Sequence, residues 1–126
     1  MLWLLACATD RIPPRALAEA VAETPDHYML VDVRSDGEWN GGHIAGAQHL
    51  ARPGIKERAG EIVARPDQTV VLVCLSGHRS RWAMESVRAA VPNEVIDLRG
   101  GMLAWWTAGL PTIRETTDTE PNPSKE

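Results

Sequence analysis

TVVLVCLSGHRS, residues 69–80, decides the fold of this chain. Residues 69–74 are short, β-rich and almost wholly apolar, the pattern of a strand buried on both faces. Pro66, Asp67 and Gln68 set a turn before it. The character then changes to a polar loop over 75–79. Residues 81–91 follow as a helix, with Ala83, Met84, Val87 and Ala90 on one face. Arg81, Glu85 and Arg88 lie on the other at spacings that allow pairing, and Pro92 and Asn93 stop the helix.

The same alternation extends in both directions. Upstream, Pro13 and Pro14 open a helix running to about Ala22, because proline suits a first turn whose N–H groups are unpaired anyway. Residues 28–33 (YMLVDV) read as a second buried strand, and 46–50 as a short third. Gly41 and Gly42 fall in a loop between these strands. Residues 52–64 place Ile55, Ala59, Ile62 and Val63 at helical spacing. Downstream, 94–98 (EVIDL) is a strand, and Gly100-Gly101 leads into a short helix through Trp106. Strands alternating with helices predict an α/β fold, a mostly parallel sheet with helices on both faces. Sites in such sheets lie beyond the carboxyl ends of the strands, which is where Cys74 stands.

The 126 residues suit one domain, and a 44% hydrophobic share supplies a core without staples. A net charge of -4 gives no sign of a nucleic-acid partner. Cys7 and Cys74 form neither a disulfide framework nor a CxxC pair, so a reducing cytoplasm is the expected compartment. Residues 1–10 read as an apolar N-terminal arm or first strand, too short to span a membrane. Residues 4–7 (LLAC) also resemble a lipoprotein cleavage box, so export or membrane anchoring is the alternative if the true start lies upstream. Residues 114–126 hold no large apolar side chain and read as a disordered tail. The domain proper is expected over 11–113.

A cysteine between a strand and a helix has a specific chemistry. A tight loop turns successive N–H groups inward as an anion-binding nest, and the helix adds the positive end of its dipole. Both favour thiolate over thiol. Gly77 suits the curl, and His78, Arg79 and Arg81 add cationic or proton-donating groups. The alternative is a small buried residue that merely finishes the strand. Ser76, Gly77, His78, Arg79 and Ser80 are not core residues, and that favours the reactive reading.

Three stretches converge on one family: DVRSDGEWNGGHIAGAQHL (32–50), CLSGHRS (74–80) and LRGGMLAWWTAGLP (98–111). In order and spacing they resemble the rhodanese homology domain over about residues 11–113. The resemblance implies about five strands and a catalytic cysteine, Cys74, whose loop cradles a persulfide. It implies sulfur transfer from a donor such as thiosulfate to a thiol or cyanide acceptor, with a protein persulfide as a further possible partner. No cofactor and no metal are expected, and His43, Cys74 and His78 lack ligand spacing.

Within that resemblance, Leu75, Ser76, Gly77, His78, Arg79 and Ser80 form the substrate-binding loop. Arg79 either holds the anionic donor or braces the loop through Asp32 or Glu38. Ser76 and Ser80 are candidates to hydrogen-bond the persulfide, with Ser80 equally a helix N-cap. Asp32, Arg34, Glu38 and His43 match family positions read as supporting scaffold. Trp105 matches a core position. Trp39, Trp82 and Trp106 edge the pocket or a partner surface, or simply pack. Two rival functions stand beside sulfur transfer. A rhodanese-like phosphatase or arsenate reductase would place arginine six residues after the cysteine, where this chain has Ser80 and carries Arg79 one place earlier. The other is a non-catalytic sulfur-carrier or redox-sensing module working through Cys74.

Overall fold

The computed structural model describes residues 10–114 and, at Arg79, the backbone alone. The apolar arm before residue 10, with Cys7, and the tail beyond residue 114 lie outside the described residues. Five strands form one sheet in the order β1-β5-β4-β2-β3: β1 Arg11–Ile12, β2 Tyr28–Asp32, β3 Gln48–His49, β4 Thr69–Val73 and β5 Val95–Leu98. Every pairing between them is parallel. The helices are α1 Pro14–Glu23, α2 Asp36–Asn40, α3 Ile55–Arg58, α4 His78–Ala90 and α5 Gly101–Thr107.

The sheet is covered on both faces, and the central strand shows why its sequence is almost wholly apolar. Val70, Leu72 and Cys74 point into one core with Ile55 and Ala59, and with Ala83, Met84 and Val87 of α4. Val71 and Val73 point into the other, with Leu17 of α1 and Met102 and Trp105 of α5. Alternate side chains of a strand face opposite ways, so a strand between two helical layers needs apolar residues at every position. Trp105 is buried as expected, and its Nε1–H donates to the Pro111 carbonyl at 2.9 Å.

Several elements differ from the sequence expectation. β1 is a two-residue strand cut short by Pro13 and Pro14, and no periodicity announces so short an element. α2 precedes the Gly41-Gly42 loop and has no counterpart in the sequence expectation. It is nucleated by a capping box: Ser35 Oγ accepts the Glu38 N–H while Glu38 Oε1 accepts the Ser35 N–H. The helix expected over 52–64 is broken into the 3-10 turn Arg52–Gly54, the single turn α3 and the 3-10 turn Ala59–Glu61. Pro53, Gly54 and Gly60 punctuate it. Ile62 is extended and ends the helical path, and Val63 after it is 72% exposed rather than on a buried face. The Gln48 side chain pairs there with the Val63 backbone N–H and carbonyl.

α4 begins at His78, three residues before the expected start. Gly77 adopts φ 100°, a left-handed conformation that turns the chain directly from loop into helix. The first turn is therefore made of polar loop residues that carry no helical pattern. Ala90 is exposed instead of joining the apolar face. The Arg81, Glu85 and Arg88 pairing gives way to other partners: Arg81 reaches Asp10 and Asp97, and Arg88 donates to the Val95 carbonyl. Among the described residues, no helix is long and apolar enough to cross a membrane.

Candidate active site

Cys74 follows directly on the last residue of β4, at the carboxyl edge of the sheet, and its side chain is buried. The Gly77 N–H donates to Cys74 Sγ at 2.9 Å. The thirteen-residue helix α4 starts at the next residue, so its positive end faces the same loop. An amide aimed at sulfur from a helix N-terminus stabilises negative charge there.

Carbonyl contacts hold the loop from behind. The Met102 N–H donates to Cys74 O at 2.8 Å, and the Leu103 N–H to Leu75 O at 2.9 Å. These are otherwise unpaired amides of the first turn of α5. The close approach needs Gly101: a Cβ there would overlap Cys74 O and come within 2.6 Å of the Leu75 carbonyl group, and its φ is +61°. The Gly100-Gly101 pair, legible in the sequence only as part of a motif, thus seats the cysteine loop on α5.

The expected loop residues divide by role. Leu75 lends its backbone, while its side chain packs against the core around Met102. Ser76 and His78 are exposed at the rim. Gly77 holds the sulfur. The Arg79 side chain lies outside the described residues, so both expectations for it are untouched. Ser80 is buried and is not an N-cap; Gly77 occupies that position. The Ser80 hydroxyl donates to Asp97 Oδ2 at 3.2 Å and lies 3.5 Å from Gly77 O.

The four supporting residues lie around the ends of β2 and β3. Asp32 and Arg34 form a buried ion pair, with Arg34 Nε donating to Oδ1 at 2.9 Å and Nη2 to Oδ2 at 2.8 Å. Arg34 Nη2 also donates to Gly42 O at 2.8 Å, tying β2 to the loop after α2. Glu38 caps α2 through Ser35. His43 is buried, its ring stacked on Trp39 with centroids 3.4 Å apart, and its Nδ1–H donates to Trp39 O at 3.0 Å. Its backbone pairs with Ile113, fastening the end of the domain.

Two residues not singled out from the sequence complete the surroundings. His49 stacks on the same indole at 4.7 Å, and its Nε2–H donates to Arg34 O at 2.7 Å. Trp39 therefore packs between two imidazoles. The other is Asp97, fully buried on β5 and bound by Ser80, Arg81 and Arg11. Burial pushes its carboxyl above the ordinary carboxylate range, against the downward pull of Arg11, Arg81 and the Ser80 hydroxyl. Trp82 is 64% exposed with the Arg52 guanidinium 5.1 Å from its ring, and Trp106 is 41% exposed.

Residues 14–108 match the Rhodanese-like domain. This chain belongs to that family. It is 36% identical over 104 residues to a sulfurtransferase of Allochromatium vinosum, covering 82% of this chain and 94% of that protein. An uncharacterized protein of Synechocystis, slr1261, is 37% identical over 103 residues, covering 82% of this chain. This chain spans only 55% of the length of that Synechocystis protein and 60% of Bacillus subtilis YqhL, another relative it matches. A thiosulfate sulfurtransferase structure from Pseudomonas aeruginosa superposes with a TM-score of 0.72 at 30% identity, over 84% of this chain and 19% of that one. The rhodanese-like fold and family expected from the sequence are thereby established, with Cys74 at the strand-to-helix turn of the domain.

Proposed function

We propose that this rhodanese-like protein is a sulfurtransferase that carries sulfane sulfur as a persulfide on Cys74. The observation that carries the reading is the Gly77 N–H on Cys74 Sγ at the mouth of α4. A thiolate so placed attacks the outer sulfur of a donor such as thiosulfate. The new S–S bond forms as the donor S–S bond breaks, and the electron pair leaves with sulfite. A thiol or cyanide acceptor then attacks the terminal sulfur. The persulfide bond breaks, and its electron pair returns to Cys74 as thiolate. Dividing the transfer in two is covalent catalysis. The sulfurtransferase from Allochromatium vinosum, which this chain nearly spans, supports the same class of reaction.

Intact mass after incubation with thiosulfate, and separately with an organic persulfide, tests the proposal. The expected product is an adduct of one sulfur atom on Cys74, removed by cyanide or thiol. Cys74→Ser should keep the fold and take up no sulfur, because serine is nearly isosteric but a far weaker nucleophile. Transfer from thiosulfate to cyanide by that variant overturns the mechanism.

A further inference from the structure

Asp97 occupies a position in β5 where the fold otherwise uses apolar residues: Val95, Ile96 and Leu98 beside it are all buried. A buried carboxylate is costly unless paired and hydrogen-bonded. Here it is held from three elements. Ser80 of α4 donates at 3.2 Å, Arg81 Nη1 of α4 lies at 3.4 Å, and Arg11 Nε of β1 at 3.6 Å. Arg81 is held in turn by Asp10 at 3.1 Å, which raises the Arg81 guanidinium further above its ordinary range. Two of these contacts land on the first turn of α4. Ser80 stands three residues after Gly77, and the single hydroxyl hydrogen it gives to Asp97 is shared with the Gly77 carbonyl, 3.5 Å from its oxygen. The chain of contacts from Asp97 thus ends on the residue whose N–H holds the sulfur.

We infer that Asp97 is a positioning residue for Cys74, acting through Ser80 and Arg81 to fix the first turn of α4 and keep the Gly77 N–H against the sulfur. The inference rests on the persulfide reading of the site for its effect on turnover, but not for its effect on cysteine reactivity. A fixed amide serves both halves of the transfer. It faces Cys74 Sγ while that atom is a thiolate, and it meets the same atom when the thiolate is returned.

Two measurements test it on the full chain: the rate of Cys74 alkylation by iodoacetamide, read by mass, and steady-state transfer from thiosulfate to cyanide. Asp97→Ala and Ser80→Ala are each expected to slow alkylation and lower kcat about tenfold, the size of losing one well-placed hydrogen bond. KM for thiosulfate should move much less. Ser80→Thr, which keeps the hydroxyl, and Asp97→Asn, which keeps an acceptor for it, should recover most of both rates. If Asp97→Ala does not fold, Ser80→Ala and its threonine rescue decide the matter. Folded Ser80→Ala or Asp97→Ala protein that alkylates and turns over like the parent overturns the inference. Parent protein that alkylates but takes up no sulfur refutes the persulfide reading instead, and the alkylation comparison still judges Asp97.

Discussion

The carbonyl oxygen of Cys74 accepts the backbone N–H of Met102 at 2.8 Å, so the first turn of α5 supports the residue whose sulfur faces the N-terminus of α4. β4 delivers the cysteine, Gly77 at the N-cap of α4 supplies the amide at its sulfur, and α5 fixes its peptide from the opposite layer. The cysteine loop is therefore tied to the packing of α5 on the sheet, which rests on buried Met102 and Trp105.

Gly101→Ala should damage both stability and sulfur uptake. The new Cβ meets the Cys74 and Leu75 backbone, and the left-handed φ adds strain of about 1–3 kcal/mol. Urea denaturation and persulfide loading are the measurements. A variant with wild-type stability and loading contradicts the seating of the loop on α5.

Arg34→Ala leaves the Asp32 carboxylate buried without its charged partner and removes the guanidinium donor to Gly42 O. Breaking a buried pair from one side costs about 3–5 kcal/mol. The double change Asp32→Asn with Arg34→Met should cost less than the single one, because no charge is stranded. Chemical denaturation of all three proteins measures the difference.

Acid should favour Asp97 in the fold. Its carboxyl titrates higher in the folded protein than in the unfolded chain, so the folded state binds the proton more tightly. That contribution is fully present below the unfolded value of about 4 and is lost as pH rises through the higher folded value. The stability of the parent relative to Asp97→Asn should therefore improve as pH falls from neutral into this range. Urea midpoints of both proteins across pH read the slope, and the opposite slope contradicts the assignment.

Aryl phosphate hydrolysis should be undetectable. Only Leu75, Ser76 and Gly77 separate Cys74 from α4, too short an arc to surround three equatorial oxygens. Insertion of one residue between Gly77 and His78 would put arginine six places after Cys74, and it should impair sulfur transfer. Cys74-dependent phosphatase turnover in the unaltered protein, faster than sulfur transfer, refutes this choice of chemistry.

By itself the sequence determined the layers and the place of the candidate cysteine. Residues 28–33 and 69–74 are nearly all apolar, without strict alternation, which suits strands covered on both sides. Cys74 ends the second of them before a polar turn, and that order survives any detail of packing. Local pattern also held the α2 capping box, Ser35 with Glu38, although the helix it starts is too short to show a period. What only the tertiary structure decided are contacts between residues distant in the chain. Nothing near Asp97 in sequence says that Arg11, Ser80 and Arg81 surround it, or that a carboxylate belongs inside β5. Nothing near Gly101 says that its missing side chain makes room for Cys74 O. Periodicity reports which face of an element is apolar. Which polar group meets which across the layers depends on how the elements pack together, and the exact placement of the sulfur depends on that packing.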